Sequence, residues 1–135
     1  MKPERDQEPF KAITAELGLN PDTTPVSCPM RAKDGSRIGW GGAMGPAQFI
    51  PSTWQGYKGK VSAITGKIAD PWDIRDAFIA SAVKLAADGA VSREGEWAAA
   101  MRYFSGSTNT KYRFYGDSVV ARADEYEEDI KELEE

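Results

Sequence analysis

Residues 39–54 read GWGGAMGPAQFIPSTW and concentrate glycine and proline more densely than the rest of the chain. The glycines are Gly39, Gly41, Gly42 and Gly45. They allow positive φ and the close approach of a ligand to the backbone. Pro46 predicts the start of a helix with Gln48 and Phe49 on its first turn, because a proline in the first helical position loses no hydrogen bond. Pro51 is then expected to interrupt that helix. The segment predicts a glycine-lined turn and a short kinked helix that together form one wall of a cleft.

Length and composition indicate one folded domain over residues 1–135. The chain is 41% hydrophobic and 28% charged, as is usual for a soluble protein with a core. It contains no apolar run of about 18 residues, so no membrane span is predicted. The opening MKPERDQEPF is charged and lacks the features of a signal peptide. We expect a monomer.

Charge and residue usage exclude several classes of function. Residues 122–135 hold eight acids against two bases, which leaves a slightly basic remainder without the basic face that nucleic acid requires. Histidine is absent and Cys28 is the only cysteine, which excludes histidine-dependent triads and most zinc sites. No cofactor or metal is therefore predicted. Cys28 is either a buried free thiol or half of a disulfide whose partner is missing.

Helical periodicity governs the first half of the chain. Phe10, Ile13 and Leu17 share one face of a helix of about 8–10 residues that ends at Gly18. Residues 1–8 show no periodicity and are predicted to be a lead-in segment. Residues 20–33 are predicted to be an ordered loop. Trp54 and Tyr57 share a helix face and either pack in the core or stack on a sugar ring.

The strongest helix is predicted after Asp70-Pro71-Trp72-Asp73, with Asp73 as N-cap and Gly89 at its end. Its apolar face is predicted to comprise Ile74, Ala77, Phe78, Ser81, Ala82 and Leu85. The three aspartates, Asp70, Asp73 and Asp76, are interpreted as first-turn charges and caps rather than metal ligands, because no glycine-centred calcium loop follows.

Two more helices complete the pattern. Ser92 is expected to cap a helix that buries Trp97, Ala100, Met101 and Phe104. The last helix carries a narrow apolar stripe of Val119, Ala123, Tyr126, Ile130 and Leu133. Its opposite face is acidic and is either solvated or in contact with a further domain. No convincing period-two strand pattern occurs, so the fold class is all-α with about five helices.

The block GGAMGPAQFIPSTW closely resembles the GAMGxxQFxPSS/T motif of lytic transglycosylases of the membrane-bound B type. More loosely, it is similar to the GAxGxMQxxPxT motif of soluble lytic transglycosylases and goose-type lysozymes. DPWDIRDAF and MRYFSGS resemble further segments of the B-type family, so the likeness covers nearly the whole chain. The resemblance implies a lysozyme-like fold. It also implies non-hydrolytic cleavage of the bond between N-acetylmuramic acid and N-acetylglucosamine in peptidoglycan, which leaves a 1,6-anhydro sugar. The location implied by that substrate is periplasmic or extracellular.

The resemblance also assigns roles to individual residues. Gly41, Gly42, Ala43 and Met44 would form a backbone wall toward the substrate. Gln48 would provide an amide contact, and Tyr103 would correspond to the tyrosine of the family's RYNxS segment, which closes over the sugar. Phe104 stands where that segment has asparagine, so the asparagine contact does not transfer. The serine that often hydrogen-bonds the family's glutamate has no counterpart near Gly39.

The family's catalytic glutamate lies in a Glu-Ser-x-x-Gly pattern, which Glu4, Glu8, Glu16, Glu94 and Glu96 all lack. We therefore expect this glutamate upstream of Met1, on an N-terminal catalytic helix that this chain lacks. The first hypothesis is thus a truncated lytic transglycosylase that is inactive by itself. The second is a non-catalytic glycan-binding module of the same fold. The third is an interaction protein that docks through its acidic last helix.

Overall fold

The computed structural model describes residues 2–135, which contain five α-helices, one 3₁₀ turn and no β-strand. The helices are α1 (Pro3–Glu16), α2 (Pro51–Thr65), α3 (Ile74–Ala87), α4 (Arg93–Ser105) and α5 (Arg113–Glu134). The 3₁₀ turn, Thr110–Tyr112, directly precedes α5. The predicted all-α class is confirmed. The chain divides into two compact units, one ending at Ser81 and one beginning at Ala82, and each is described separately below.

α1 begins earlier than the sequence predicted. Pro3 occupies its first position, so the prediction of a non-helical lead-in over residues 1–8 is wrong from Pro3 onward, while Met1 lies outside the described residues. Asp6 explains the early start, because its Oδ2 atom accepts a hydrogen bond of 3.1 Å from the Lys2 backbone N–H. The helix also accommodates Pro9, although proline removes one helical hydrogen bond.

The end of α1 is as predicted. Gly18 has φ +69° and donates its N–H to the Ala15 carbonyl, while the Leu19 N–H bonds the Thr14 carbonyl. This pair of bonds is the Schellman arrangement that a glycine after the last turn favours. Phe10, on the predicted face, is buried at 1% exposure.

A buried carboxylate joins the starts of α1 and α2. Asp6 is fully buried, and its Oδ1 atom accepts bonds from the Ser52 backbone N–H (3.2 Å) and hydroxyl (2.7 Å). Its Oδ2 atom accepts bonds from the Arg5 guanidinium at 2.6 and 3.0 Å. Burial alone would raise the pKa of Asp6, but the bonds from Arg5, Ser52 and Lys2 lower it to about 2. The folded unit therefore holds Asp6 as a charged group.

α2 starts at Pro51, which corrects the predicted helix start at Pro46 and the predicted kink at Pro51. Proline at the first helical position lacks only an N–H that would have no helical partner. The N-cap position is occupied by Ile50, whose side chain makes no capping bond. Trp54 is fully buried and meets the Phe49 ring edge-on at 5.5 Å, so Trp54 belongs to the core and cannot stack on a sugar.

The loop before α3 is fastened to the first turn of α3 by Asp76. This side chain is fully buried, and its Oδ2 atom accepts bonds from Lys67 Nζ at 2.8 Å and from the Asp70 backbone N–H at 2.9 Å. Asp73 accepts the Asp76 N–H at 3.0 Å, which confirms the predicted cap. Asp76 lies in the first turn of α3, as predicted, and also anchors the preceding loop.

The buried face of α3 is rotated from the predicted one. Ala77 and Ala80 are fully buried, whereas Ile74 and Phe78 are 60% and 62% exposed and Ala82 is exposed too, so the predicted face is wrong at those three positions. Asp76 lies on the buried side of the helix, where it bonds the loop at residues 67–70. Gly89 follows the helix with φ +110°, as predicted for its end.

In the second unit α4 packs against α5. Gly116 is the buried residue of α5, and a side chain there would collide with Trp97 and Met101. Trp97 donates its Nε1–H to Asp117 Oδ1 at 2.8 Å. Phe104 is 47% exposed, contrary to its predicted burial, because it stacks at 4.5 Å on Tyr115 instead of entering the core. Ser92 occupies the N-cap position of α4, but its side chain makes no capping bond.

Replacing Asp6 tests the joint between α1 and α2. We expect Asp6→Ala to lower the free energy of unfolding by about 3 kcal/mol, because it removes a buried carboxylate and leaves the Ser52 and Lys2 N–H groups without their acceptor. Ser52→Ala should cost about 1 kcal/mol, since only the hydroxyl bond is lost. Urea unfolding followed by circular dichroism measures both values. Losses that add without coupling in the double variant would contradict a direct Asp6–Ser52 interaction.

The pH dependence of stability provides an independent test. The pKa of Asp6 is about 2 in the folded chain against an ordinary 3.8, so its contribution is complete above pH 4 and disappears as the pH falls through 2. We expect this contribution to be about 2 kcal/mol. In the Asp6→Asn variant the free energy of unfolding should lack this dependence on pH. If the free energy of unfolding depends on pH in the same way in both chains, Asp6 is not the group responsible.

Candidate functional site

A shallow depression in the first unit lies directly on the glycine-rich block. It measures about 280 Å³ and is lined by Pro25, Val26, Ser27, Ala43, Gly45, Gln48 and Trp72. Residues 25–27 and 43–48 both belong to the long connection between α1 and α2. In the depression they meet Trp72, which precedes the N-cap of α3. No carboxylate belongs to this lining.

Backbone pairing builds the wall of the depression. Ser27 and Ala43 exchange hydrogen bonds in both directions, at 2.9 and 2.8 Å, and form an isolated antiparallel bridge. Met44 donates its N–H to the Phe49 carbonyl at 2.9 Å, which closes a tight turn over residues 45–48. The sequence had predicted Gln48 on the first turn of a helix. In the structure Gln48 lies in this turn instead. The reason is that pairing Met44 with Phe49 satisfies the backbone groups that a helix starting at Pro46 would use.

Gln48 is held in an unusual backbone conformation at the rim. Its φ is +58°, a left-handed value that is uncommon outside glycine. The side-chain Nε2 donates to the Gly45 carbonyl at 2.9 Å, which steadies the turn. The side chain is exposed, and an amide has a second N–H and a carbonyl oxygen available for other partners.

Two of the glycines are required by the packing of the chain on itself. A Cβ on Gly42 would lie 2.6 Å from the Ser27 carbonyl oxygen, and a Cβ on Gly45 would lie 1.8 Å from the Pro71 carbonyl oxygen. Gly41 and Gly45 also have positive φ, at +115° and +61°. The glycine pattern therefore lets residues 41–45 approach the 26–27 and 71 backbones closely.

The predicted substrate contacts are distributed unevenly. Ala43 and Gln48 line the depression, whereas Gly41, Gly42 and Met44 are buried. Gly41 lines a neighbouring depression of about 200 Å³ that also contains Arg31 and Arg37. The structure thus brings Ala43 and Gln48 together with residues that the resemblance had not named.

Tyr103 belongs to the second unit, where it is half-buried in α4. The Lys84 Nζ atom lies 5.6 Å from the centre of its ring, within cation–π range. The part that Tyr103 plays toward a substrate stays a prediction.

Trp72 is the site residue that sequence reasoning missed. Its indole Nε1 donates to the Pro25 carbonyl at 2.9 Å, and its ring meets Phe10 edge-on at 6.3 Å. The half-buried indole therefore connects residues 25–27 to the segment that directly precedes α3. The only signal in the sequence was a tryptophan just before a helix cap, which a core position explains equally well.

The carboxyl groups with displaced pKa values favour the charged form, which is the wrong direction for a general acid. Besides Asp6, hydrogen bonds from Ser36, the Asp76 N–H, Arg113 and Arg93 lower the pKa values of Asp34, Asp73, Asp117 and Asp124, respectively. Glu16, the glutamate nearest in form to the family pattern, pairs with Lys58 at 2.6 Å.

Other classes of site receive no support from the described part of the chain. Residues 2–135 hold no group of three or more cysteine, aspartate or glutamate side chains that could bind a metal ion. None of their helices has the length and apolar character that a membrane crossing requires. Cys28 is exposed, so the alternative of a buried thiol is wrong.

Replacing Gly45 tests the packing that forms the site. Gly45→Ala should lower the free energy of unfolding by more than about 2 kcal/mol, because the new Cβ collides with the Pro71 carbonyl and the left-handed φ is strained. Gly56→Ala is the matched control, since Gly56 lies inside α2 with open space around it and alanine there should stabilise by about 0.5–1 kcal/mol. Chemical denaturation measures both. Equal effects would contradict the close approach at Gly45.

Comparison with known proteins leaves the family unidentified. No protein-family model matches the chain, and no curated protein or solved structure gives a significant match to it. The function is therefore proposed below from the site itself, together with the motif resemblance.

Proposed function

We propose that this chain is a glycan-binding lytic transglycosylase domain whose ligand is the peptidoglycan strand. The observation that carries the proposal is the meeting of the Gln48 amide, the Ala43 wall and the Trp72 indole in one depression on the GAMGPAQFIPSTW block. An N-acetyl sugar offers an amide, several hydroxyls and an apolar ring face. These groups match an amide partner, a backbone edge and an aromatic surface, respectively.

The reaction that we propose is the non-hydrolytic cleavage implied by the motif. A glutamic acid protonates the oxygen between N-acetylmuramic acid and N-acetylglucosamine, and the N-acetyl group of the substrate stabilises the opened centre. The same glutamate then takes the proton of the muramic acid 6-hydroxyl, which closes the 1,6-anhydro ring. Such an acid needs a desolvated setting that raises its pKa. Because no carboxylate lines the depression, we assign the acid to a position outside residues 2–135. The substrate implies a location in the cell envelope.

The second candidate function is a binding module that holds the same glycan without cutting it. No carboxylate lies in the described lining of the depression. This observation favours a binding module as much as it favours an enzyme whose acid is supplied from elsewhere. Reading the coding sequence upstream of the Met1 codon separates the two. A frame that encodes a Glu-Ser-x-x-Gly helix supports the enzyme, and an early stop codon supports the module.

Glycan binding is tested first through Gln48. We expect Gln48→Ala to weaken the binding of chitotetraose several-fold, since one hydrogen bond contributes about 1 kcal/mol. Gln55→Ala is the matched control, because Gln55 lies on α2 outside the lining of the depression. Chemical shifts in a ¹H–¹⁵N titration give the affinities. Unchanged affinity in Gln48→Ala would contradict the proposed site.

Catalysis is tested separately on purified peptidoglycan. We expect this chain alone to release no 1,6-anhydro-muropeptides detectable by mass spectrometry, because no carboxylate is among the described residues that line the depression. Release of such products would overturn the placement of the acid outside residues 2–135. Glu16→Gln would then be the first variant to assay.

A further inference from the structure

The C-terminal half of α5 presents an exposed apolar stripe. Tyr126, Ile130 and Leu133 are 64%, 55% and 88% exposed. α4 contacts a neighbouring face of α5, through Trp97 with Asp117 and through the ion pair of Arg93 with Asp124. The stripe is therefore not the surface that holds the second unit together.

The spacing of the stripe is that of a helix–helix seam. Val119, Ala123, Tyr126, Ile130 and Leu133 follow one another at intervals of four, three, four and three residues. This is the alternation of the a and d positions in a heptad repeat, with Tyr126 and Leu133 at d and Ile130 at a. The e and g positions that border the seam from Tyr126 to Leu133 are occupied by Glu127, Asp129 and Glu134, which are all acidic, while Arg122 holds the g position one heptad before Asp129.

The charges at the e and g positions indicate which kind of partner can cover the seam. In a parallel pair of copies, Asp129 of one chain would lie opposite Glu134 of the other. Arg122 would lie opposite Glu127 and attract it, so the two cross-pairs cancel and charge gives a second copy no net gain. An anionic lipid surface is repelled by the net acidic border. Lysine or arginine on a partner would instead form attractive pairs across the seam.

We propose that α5 docks a basic amphipathic helix of another protein segment, whose apolar seam covers Tyr126, Ile130 and Leu133 and whose flanking lysines or arginines face Glu127, Asp129 and Glu134. This surface belongs to the second unit, and the proposal does not depend on the glycan depression of the first unit. The ligand class is a helix with apolar residues at a and d and basic residues at e and g.

A synthetic helix provides the probe. The peptide has 21 residues, with isoleucine at a, leucine at d and lysine at e and g, and the matched control peptide has glutamate at e and g. Fluorescence anisotropy of each labelled peptide is measured against the whole chain. We expect the lysine peptide to bind at least tenfold more tightly than the glutamate peptide, and its affinity to fall as salt is raised. Equal affinities, or no binding of the lysine peptide, would overturn the proposal.

Variants of α5 distinguish binding through the apolar seam and its flanking charges from attraction by net charge alone. Ile130→Ser with Leu133→Ser should abolish binding. Reversing the border by Glu127→Lys, Asp129→Lys and Glu134→Lys should switch the preference to the glutamate peptide. The matched control reverses three outer acids, Glu125→Lys, Glu128→Lys and Glu132→Lys, and should keep the preference for the lysine peptide. Circular dichroism verifies that each variant remains folded.

Two results would overturn the docking proposal at this stage. The first is an equal loss of preference in the border and outer variants, because that would mean that net charge alone attracts the peptide. The second is a concentration-dependent dimer in sedimentation velocity that Ile130→Ser with Leu133→Ser dissolves, because a second copy would then be the occupant of the stripe.

Discussion

The first unit depends on one buried carboxylate. α2 begins with Ile50 as N-cap, Pro51 and Ser52, and Ile50 has no side-chain acceptor for the first free N–H groups. Asp6 supplies that acceptor from α1, because its Oδ1 atom receives the Ser52 N–H and hydroxyl. A negative charge at this point also meets the positive end of the α2 dipole. The two helices are thereby held start to start, with 46 residues of chain separation between the bonded groups.

The candidate site is a consequence of that joint. Fixing Ser52 fixes the preceding turn, since Phe49 pairs with Met44 and the Ser27–Ala43 bridge follows directly. The glycines then allow this wall to lie against the Pro71 backbone, where Trp72 completes the lining. A rigid backbone wall suits recognition of a sugar, because polar groups that are already positioned lose little entropy when a ligand binds.

The sequence predicted those features whose causes are local. The helical class, the glycine signals after α1 and α3, and the Asp73 cap all follow from residues within one or two turns of each other. The features that it missed have distant causes. The capping of α2 requires Asp6 to meet Ser52, and no local pattern indicates that Asp6 is buried. The burial of Asp76 on α3 is likewise accompanied by a bond to Lys67, which lies outside the helix in the preceding loop.

The site was only partly predictable for the same reason. The motif pointed to Ala43 and Gln48, and both line the depression. It did not indicate that the chain would turn at residues 45–48 instead of starting a helix, because that turn depends on pairing between Met44 and Phe49. Trp72 was missed because its role comes from a contact with Pro25 across the fold.

The central claim is that the depression at Ala43, Gln48 and Trp72 is a glycan site. Its most direct test is an isotope-filtered NOE experiment on the labelled chain with unlabelled chitotetraose. We expect NOEs from the N-acetyl methyl groups of the sugar to the Ala43 methyl and the Trp72 indole protons. Sugar NOEs confined to other residues, with none to Ala43, Gln48 or Trp72, would contradict it.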